Sequence, residues 1–305
     1  MAELVLLLAS MLAAGTPLAI AGLGLLINEK VGVLNLGAEG IMLVGAVAGF
    51  AGAFWSGNAW AGLAAGALAG AVLTAFFAVL VIFLMTNQYA TGLAVALFGT
   101  GFSAFVGTGF VKEKLDVVMS SAVPWLADAP VVGPLFKLHP MVYLTVLLTL
   151  AIGWLFYRTR TGLILRAVGE SPESAHALGY PVRTIRTLAV VAGGALCGLA
   201  GAYISIIYAS LWNEGMIAGK GWIALALTSF ATWRPTRILM GAYLFGGVTM
   251  LQLYLQTKGV QIPSQFMSML PYLATIVVLV LISRRPEWIR VNMPASLGKP
   301  FYPGG

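Results

Sequence analysis

The feature that most constrains this chain is its succession of long apolar runs divided by short polar breaks. A helix crosses the hydrocarbon core of a bilayer in about 20 consecutive apolar residues. Runs of that order lie at about 4–27, 40–56, 59–84, 90–111, 140–157, 187–208, 216–233, 238–256 and 269–283. Those at 40–56 and 216–233 are short, interrupted by Gly and led by a charged residue. The runs are continuous, unlike the alternating strands of about ten residues in a membrane barrel. Charged residues are 9% of the chain, against about a quarter in a soluble domain, too few to coat a water-soluble globule. The expected fold is all-α: a polytopic transmembrane helix bundle of about eight to nine spans. It forms a single membrane domain over 1–290, with a tail over 291–305.

The charge pattern orients the bundle. The net charge of +7 is not gathered on one motif, so no nucleic-acid partner is expected. Arg158, Arg160, Arg166, Arg183 and Arg186 lie in the loop 158–186, Arg234 and Arg237 follow the run ending at 233, and Arg284 and Arg285 open the C-terminal tail. Cytoplasmic loops are rich in Lys and Arg, which places these three segments and the C-terminus in the cytoplasm. Alternation then puts 112–139, 209–215 and 257–268, and the N-terminus, outside. The N-terminal stretch Met1 to Ile27 carries Glu3 and no basic residue near its start, so it reads as a retained span rather than a cleaved signal. The stretch 112–139, with Pro124, Trp125, Pro130, Pro134 and Phe136, reads as an interfacial linker or as a contact for a substrate-delivering partner. Gly62, Gly66 and Gly70 recur every fourth residue, a pattern that lets helix backbones approach closely in lipid. The single cysteine, Cys197, reads as a small packing residue.

Polar residues cluster at run ends: Asn35, Glu39, Asn87, Gln88, Asn213, Glu214 and Lys220, with Gly37, Gly40, Gly219 and Gly221 beside them. Burying such groups against lipid is expensive. They belong either to a translocation path with broken helices or to the headgroup level with packing glycines. The tetrads Ala38-Glu39-Gly40-Ile41 and Gly219-Lys220-Gly221-Trp222 echo each other faintly, as an inverted repeat would. Glu29, Glu39, Glu170, Glu173 and Glu214 all fall near run ends, which argues against an ion-driven transporter with carboxylates deep in its spans. No phosphate-binding GxxxxGK[ST] loop, GxSxG or HExxH is present, and His139 and His176 stand alone. No catalytic residue, metal site or cofactor is expected, and energy must come from a partner or an ion gradient. In the loop 158–186, Ser171 caps a short helix with Pro172 at its first position and Glu173 in its first turn; Gly179 and Pro181 stop it. Docking element and ordinary surface loop both remain open for it.

Gly169-Glu170-Ser171-Pro172-Glu173-Ser174-Ala175-His176-Ala177-Leu178-Gly179-Tyr180 resembles the coupling-helix loop of ATP-binding-cassette (ABC) importer permeases, in the branch serving simple sugars, nucleosides and branched-chain amino acids. Glu170, Ser171, Pro172, Glu173, Ala175 and Gly179 take the matching positions. Gly32 to Met42 is similar to the GxxNLGxEG element of nucleoside and simple-sugar permeases, Asn213 to Ala226 to a second Gly-Lys-Gly-aromatic element, and Thr86-Asn87-Gln88 with Thr91-Gly92-Leu93 to a third. Nearly the whole chain takes part, starting at the first shared span. The resemblance implies a permease subunit of a bacterial-type inner membrane that imports nucleosides or related simple sugars, as the shorter member of a permease pair. It implies ABC ATPase subunits docked on 169–180, a homologous and different second permease, an extracytoplasmic substrate-binding protein and surrounding lipid. Asn35, Glu39, Gly40, Asn87, Gln88, Asn213, Glu214 and Lys220 would line the path of the small-molecule substrate. An ion-gradient transporter and a non-transporting membrane scaffold are the alternatives.

Overall fold

The computed structural model describes residues 2–116, 133–257 and 292–302, with isolated positions between 266 and 280. The described residues form α1 (Ala2–Lys30), α2 (Ala38–Ser56), α3 (Ala59–Ala78), α4 (Gln88–Gly107), α5 (Pro140–Arg158), α6 (Arg160–Glu170), α7 (Pro172–Ala177), α8 (Val182–Tyr203), α9 (Lys220–Phe230) and α10 (Pro235–Thr257). Five-residue π-helical turns prolong α3 to Phe83 and α8 to Tyr208. Among the described residues the only strand-like pairing is one bridge, Lys114 with Leu211.

Side-chain caps set several helix starts. The Asn58 side chain accepts from Trp60 N, and Asn87 Oδ1 accepts from Tyr89 N and Ala90 N. His139 Nδ1 accepts from Met141 N at 3.2 Å with Pro140 as the first helical residue. Each satisfies backbone donors that a helix start leaves open.

Packing is governed by small residues. Gly66 and Gly70 of α3 lie on Gly198 and Gly194 of α8 with no room for a Cβ on either side, and Gly45 and Gly49 of α2 meet Gly198 and Ala202. Gly40 of α2 meets Gly99 of α4, and Gly15 of α1 meets Ala242 and Gly246 of α10. The Gly62–Gly70 repeat thus does what its spacing predicts, although two neighbours, α2 and α8, share it. These pairings give directions: α2, α4, α8 and α10 run one way, and α1, α3 and α9 the other. Lys30, Gln88, α6, α7 and Trp233 therefore share one end of the bundle, here the basic end. Glu3, whose carboxylate accepts from Tyr254 Oη, lies at the far end.

Among the described residues, seven helical runs are long and apolar enough to cross a membrane: those containing α1, α2, α3, α4, α5, α8 and α10. The departure from sequence expectation is 216–233. Its helix, α9, has 11 residues, roughly 16 Å at 1.5 Å per residue, about half the hydrocarbon thickness. The chain nevertheless passes from the far end to the basic end over 209–233, the first half as irregular backbone. The predicted run 269–283 lies largely outside the described residues.

Candidate functional site: a half-depth junction of two helix starts

Both short, Gly-interrupted runs begin inside the bundle. Gly40 packs on Gly99, the middle residue of the run Gln88–Phe110, and Met42 on Gly201, in the second half of Val182–Tyr208. The first turn of α2 is therefore at half depth, reached from Lys30 by irregular backbone over 31–37. There it meets the start of α9: Glu39 Oε1 accepts from Gly219 N at 2.8 Å and Oε2 from Gly221 N at 2.7 Å. The carboxylate sits on the positive end of the α9 dipole and satisfies two otherwise open donors. Lys220 turns its Nζ back to Ile217 O at 3.2 Å. The two echoing tetrads thus touch, and their helices diverge in opposite directions. α9 is bracketed by left-handed residues, Ala218 (φ 51°) and Gly219 (φ 81°) before it and Thr232 (φ 50°) and Trp233 (φ 52°) after it. For the non-Gly members this conformation costs about 1–2 kcal/mol each. Glu39 and Lys220 are partly accessible and Trp222 is exposed.

The other predicted path residues divide. Asn213 and Glu214 are exposed on the irregular limb above α9, beside Trp212, whose buried ring covers Gly107. Asn35 is fully buried; its Oδ1 accepts from Gly37 N at 2.9 Å and shapes the turn into α2. Gln88 is buried and braces the same limb, its Oε1 accepting from Leu34 N at 2.8 Å. Asn87 caps α4 at the basic end, and Gly40 is a helix-crossing contact. None of the eight lines the apolar cavity of about 740 Å³ between α2, α3 and α4, where Thr91 is the polar member among residues such as Phe76, Val95 and Phe98.

At the basic end α6 and α7 project as a pair. Ser171 Oγ accepts from Ser174 N at 3.3 Å and Pro172 begins α7, as the sequence predicts. Gly179 (φ 88°) closes it, with Tyr180 N donating to Ala175 O at 3.1 Å. Glu173 and Glu170 are exposed, and Leu178 is 78% exposed at the tip, whereas Pro172 and Ala175 face inward.

A family model described as "Branched-chain amino acid transport system / permease component" matches residues 7–282. This chain belongs to that permease family. It is 42% identical to a putative glucose ABC transporter permease protein of Haloferax volcanii, with 93% of each chain covered. It is 32% identical to a nucleoside ABC transporter permease protein of Lactococcus lactis (90% of this chain, 92% of the relative). Against a guanosine ABC transporter permease protein of Bacillus subtilis the identity is 30%, over 94% and 93%. The resemblance drawn from the motifs is thereby shown, as is residence in the plasma membrane as a multi-pass protein.

The permease also carries residues that the motifs do not single out. Glu29, 1% exposed, accepts from the indole Nε1 of Trp233 and so ties the end of α1 to the end of α9. Arg186, read from sequence only as an orienting charge, is 2% exposed; its Nη2 donates to Ser296 Oγ at 2.9 Å. Glu29 follows the first apolar run and reads from sequence as a run-end carboxylate, with no sign of its burial. Nothing in the local sequence distinguishes Arg186 from Arg183, which is only partly buried.

Proposed function

We propose that this permease is one half of the membrane pathway of an ATP-driven importer for a simple sugar or nucleoside. The observation that carries this reading is a polar, partly accessible junction at half depth, made from Glu39, Lys220 and the start of α9. Polar groups at that depth face a water-filled route or a partner rather than lipid, and half-helix ends pointing at a midplane site are how membrane transporters hold polar solutes. Relatives named for glucose, nucleoside and guanosine transport support a neutral, polyhydroxylated solute. A homologous second permease completes the route, an extracytoplasmic binding protein loads it, and lipid surrounds the pair.

The basic end is cytoplasmic. Arg158, Arg160, Arg166, Arg234 and Arg237 gather there, as the positive-inside rule requires, and α1 then begins outside. The C-terminus and loop 158–186 lie inside and 112–139 outside, with 1–290 as one membrane domain. ATP hydrolysis resides in ATPase subunits that dock on α7, where exposed Glu173 and Leu178 offer a charged and an apolar contact. Depth alone speaks for an ion-driven transporter, since Glu39 lies deep in the bundle rather than at a run end. Both its oxygens are engaged by α9, which leaves the carboxylate a structural anion rather than an ion carrier. The docking test is Glu173→Arg: the permease inserts and folds as wild type, and purified ATPase subunits no longer co-elute with it. Co-elution at wild-type stoichiometry would overturn the docking assignment.

A further inference from the structure

The C-terminal residues 292–302 do not hang free; they lace the basic end together. Ser296 Oγ donates to Gly169 O of α6 at 2.6 Å and accepts from Arg186 Nη2 of α8, and Ser296 N donates to Gly169 O at 3.1 Å. Gly298 N donates to Gly32 O at 3.2 Å, and Lys30 Nζ donates to Asn292 O at 2.9 Å. Lys299 O accepts from Gln88 Nε2 and from Arg186 Nη1, each at 3.4 Å. Phe301 is 6% exposed, packed with Val168, Ala175 and Val182, and its ring meets that of His176 at 5.6 Å. The fit leaves no slack: a Cβ on Gly32 would strike Ser296, and one on Gly169 would strike Lys30 O.

This segment touches α7 at one end and, through Gly32 and Gln88, the irregular limb 31–37 at the other. Gln88 holds Leu34, that limb runs into Glu39, and Glu39 holds α9. We propose that residues 292–302 are a coupling strap: Phe301, Ser296 and Lys299 position the limb 31–37 against α7, so that displacement of α7 is delivered to the half-depth junction. The strap also neutralises a local cost. Among the described residues, the hydrogen-bond acceptors of buried Arg186 are strap oxygens, and a buried charge without partners is strongly unfavourable. The element that responds is α9, whose left-handed residues at both ends mark two hinges. The proposal rests on α7 being the ATPase contact.

The test uses the full complex in liposomes, reading solute transported per ATP hydrolysed. Phe301→Ala is expected to keep ATPase binding and hydrolysis while solute per ATP falls roughly 5- to 150-fold, the span of typical coupling free energies. Amide exchange in 31–37 rises in the same variant. If Phe301→Ala does not assemble, the double variant Arg186→Met/Ser296→Ala, which removes the charge together with its partner, decides on the same ratio. Wild-type solute per ATP in an assembled variant overturns the strap. Glu173→Arg is run beside it. If Glu173→Arg loses ATPase binding while Phe301→Ala transports normally, only the strap fails. If Glu173→Arg still binds the ATPase, the docking reading fails, and the strap's role in coupling fails with it.

Discussion

Replacing Glu39 probes the junction at its strongest bonds. Its two oxygens each hold one backbone donor of α9, at 2.8 and 2.7 Å. A hydrogen bond to a charged group contributes about 1.5–3 kcal/mol, and a buried donor left open costs about 1–3 kcal/mol. Glu39 is partly accessible, so solvent screening moves both figures to their lower halves. In Glu39→Gln one amide oxygen still accepts, but the NH2 group faces the other N–H. About 1–2 kcal/mol of anchoring is lost, a factor of about 5–30 in local opening. Glu39→Ala opens both donors and loses about twice that free energy. Hydrogen–deuterium exchange read by mass spectrometry over 216–224 measures it directly. Protection of Gly219 and Gly221 falls in the order wild type, Glu39→Gln, Glu39→Ala, with α3 and α8 unchanged. Wild-type protection in Glu39→Ala would refute the claim that this carboxylate holds the start of α9.

Three further outcomes follow from the packing. Gly198→Val forces α3 and α8 apart, because a Cβ there meets Gly66 O and Gly70; thermal unfolding in detergent should show a loss of about 1–3 kcal/mol or more. Trp233→Phe leaves the Glu29 carboxyl, whose Oε1 has no partner among the described residues, without its indole donor, at a cost of about 1–3 kcal/mol. Adding Glu29→Gln replaces the buried carboxyl by an amide and recovers part of that loss, a double-mutant cycle read from unfolding midpoints. Burial holds the His139 imidazole below its ordinary range, so the folded state binds its proton less readily than the unfolded chain. Its contribution is complete above the unfolded value of about 6.5 and declines as pH falls through that value toward the lower folded one. His139→Asn, which can still cap α5, should flatten this part of the stability–pH curve.

What the sequence disclosed followed the range of the forces involved. α7 was legible because its signals are local: Ser171, Pro172 and Glu173 start it and Gly179 ends it within nine residues. The close helix contacts were legible from the Gly62, Gly66 and Gly70 spacing, since Cβ absence is a property of the residue itself. The half-length of α9 was not, because hydropathy counts apolar residues and is silent on backbone direction. Ala218 and Thr232 adopt a conformation that their residue types disfavour. Glu39 looked like a run-end residue for the same reason: its depth is fixed by Gly40 meeting Gly99, and its partners lie 180 and 182 positions away. Arg186 was hidden similarly, since its partner Ser296 lies 110 residues later.

In the proposed function, ATPases docked at α7 drive transport through this permease. The most direct measurement is uptake of labelled glucose and nucleosides into liposomes carrying the whole complex, with ATP inside and no ion gradient. ATP-dependent uptake of one of these solutes, abolished by Glu173→Arg in a correctly inserted protein, is the predicted result. Uptake that follows a proton or sodium gradient and proceeds without the ATPase subunits would contradict the account.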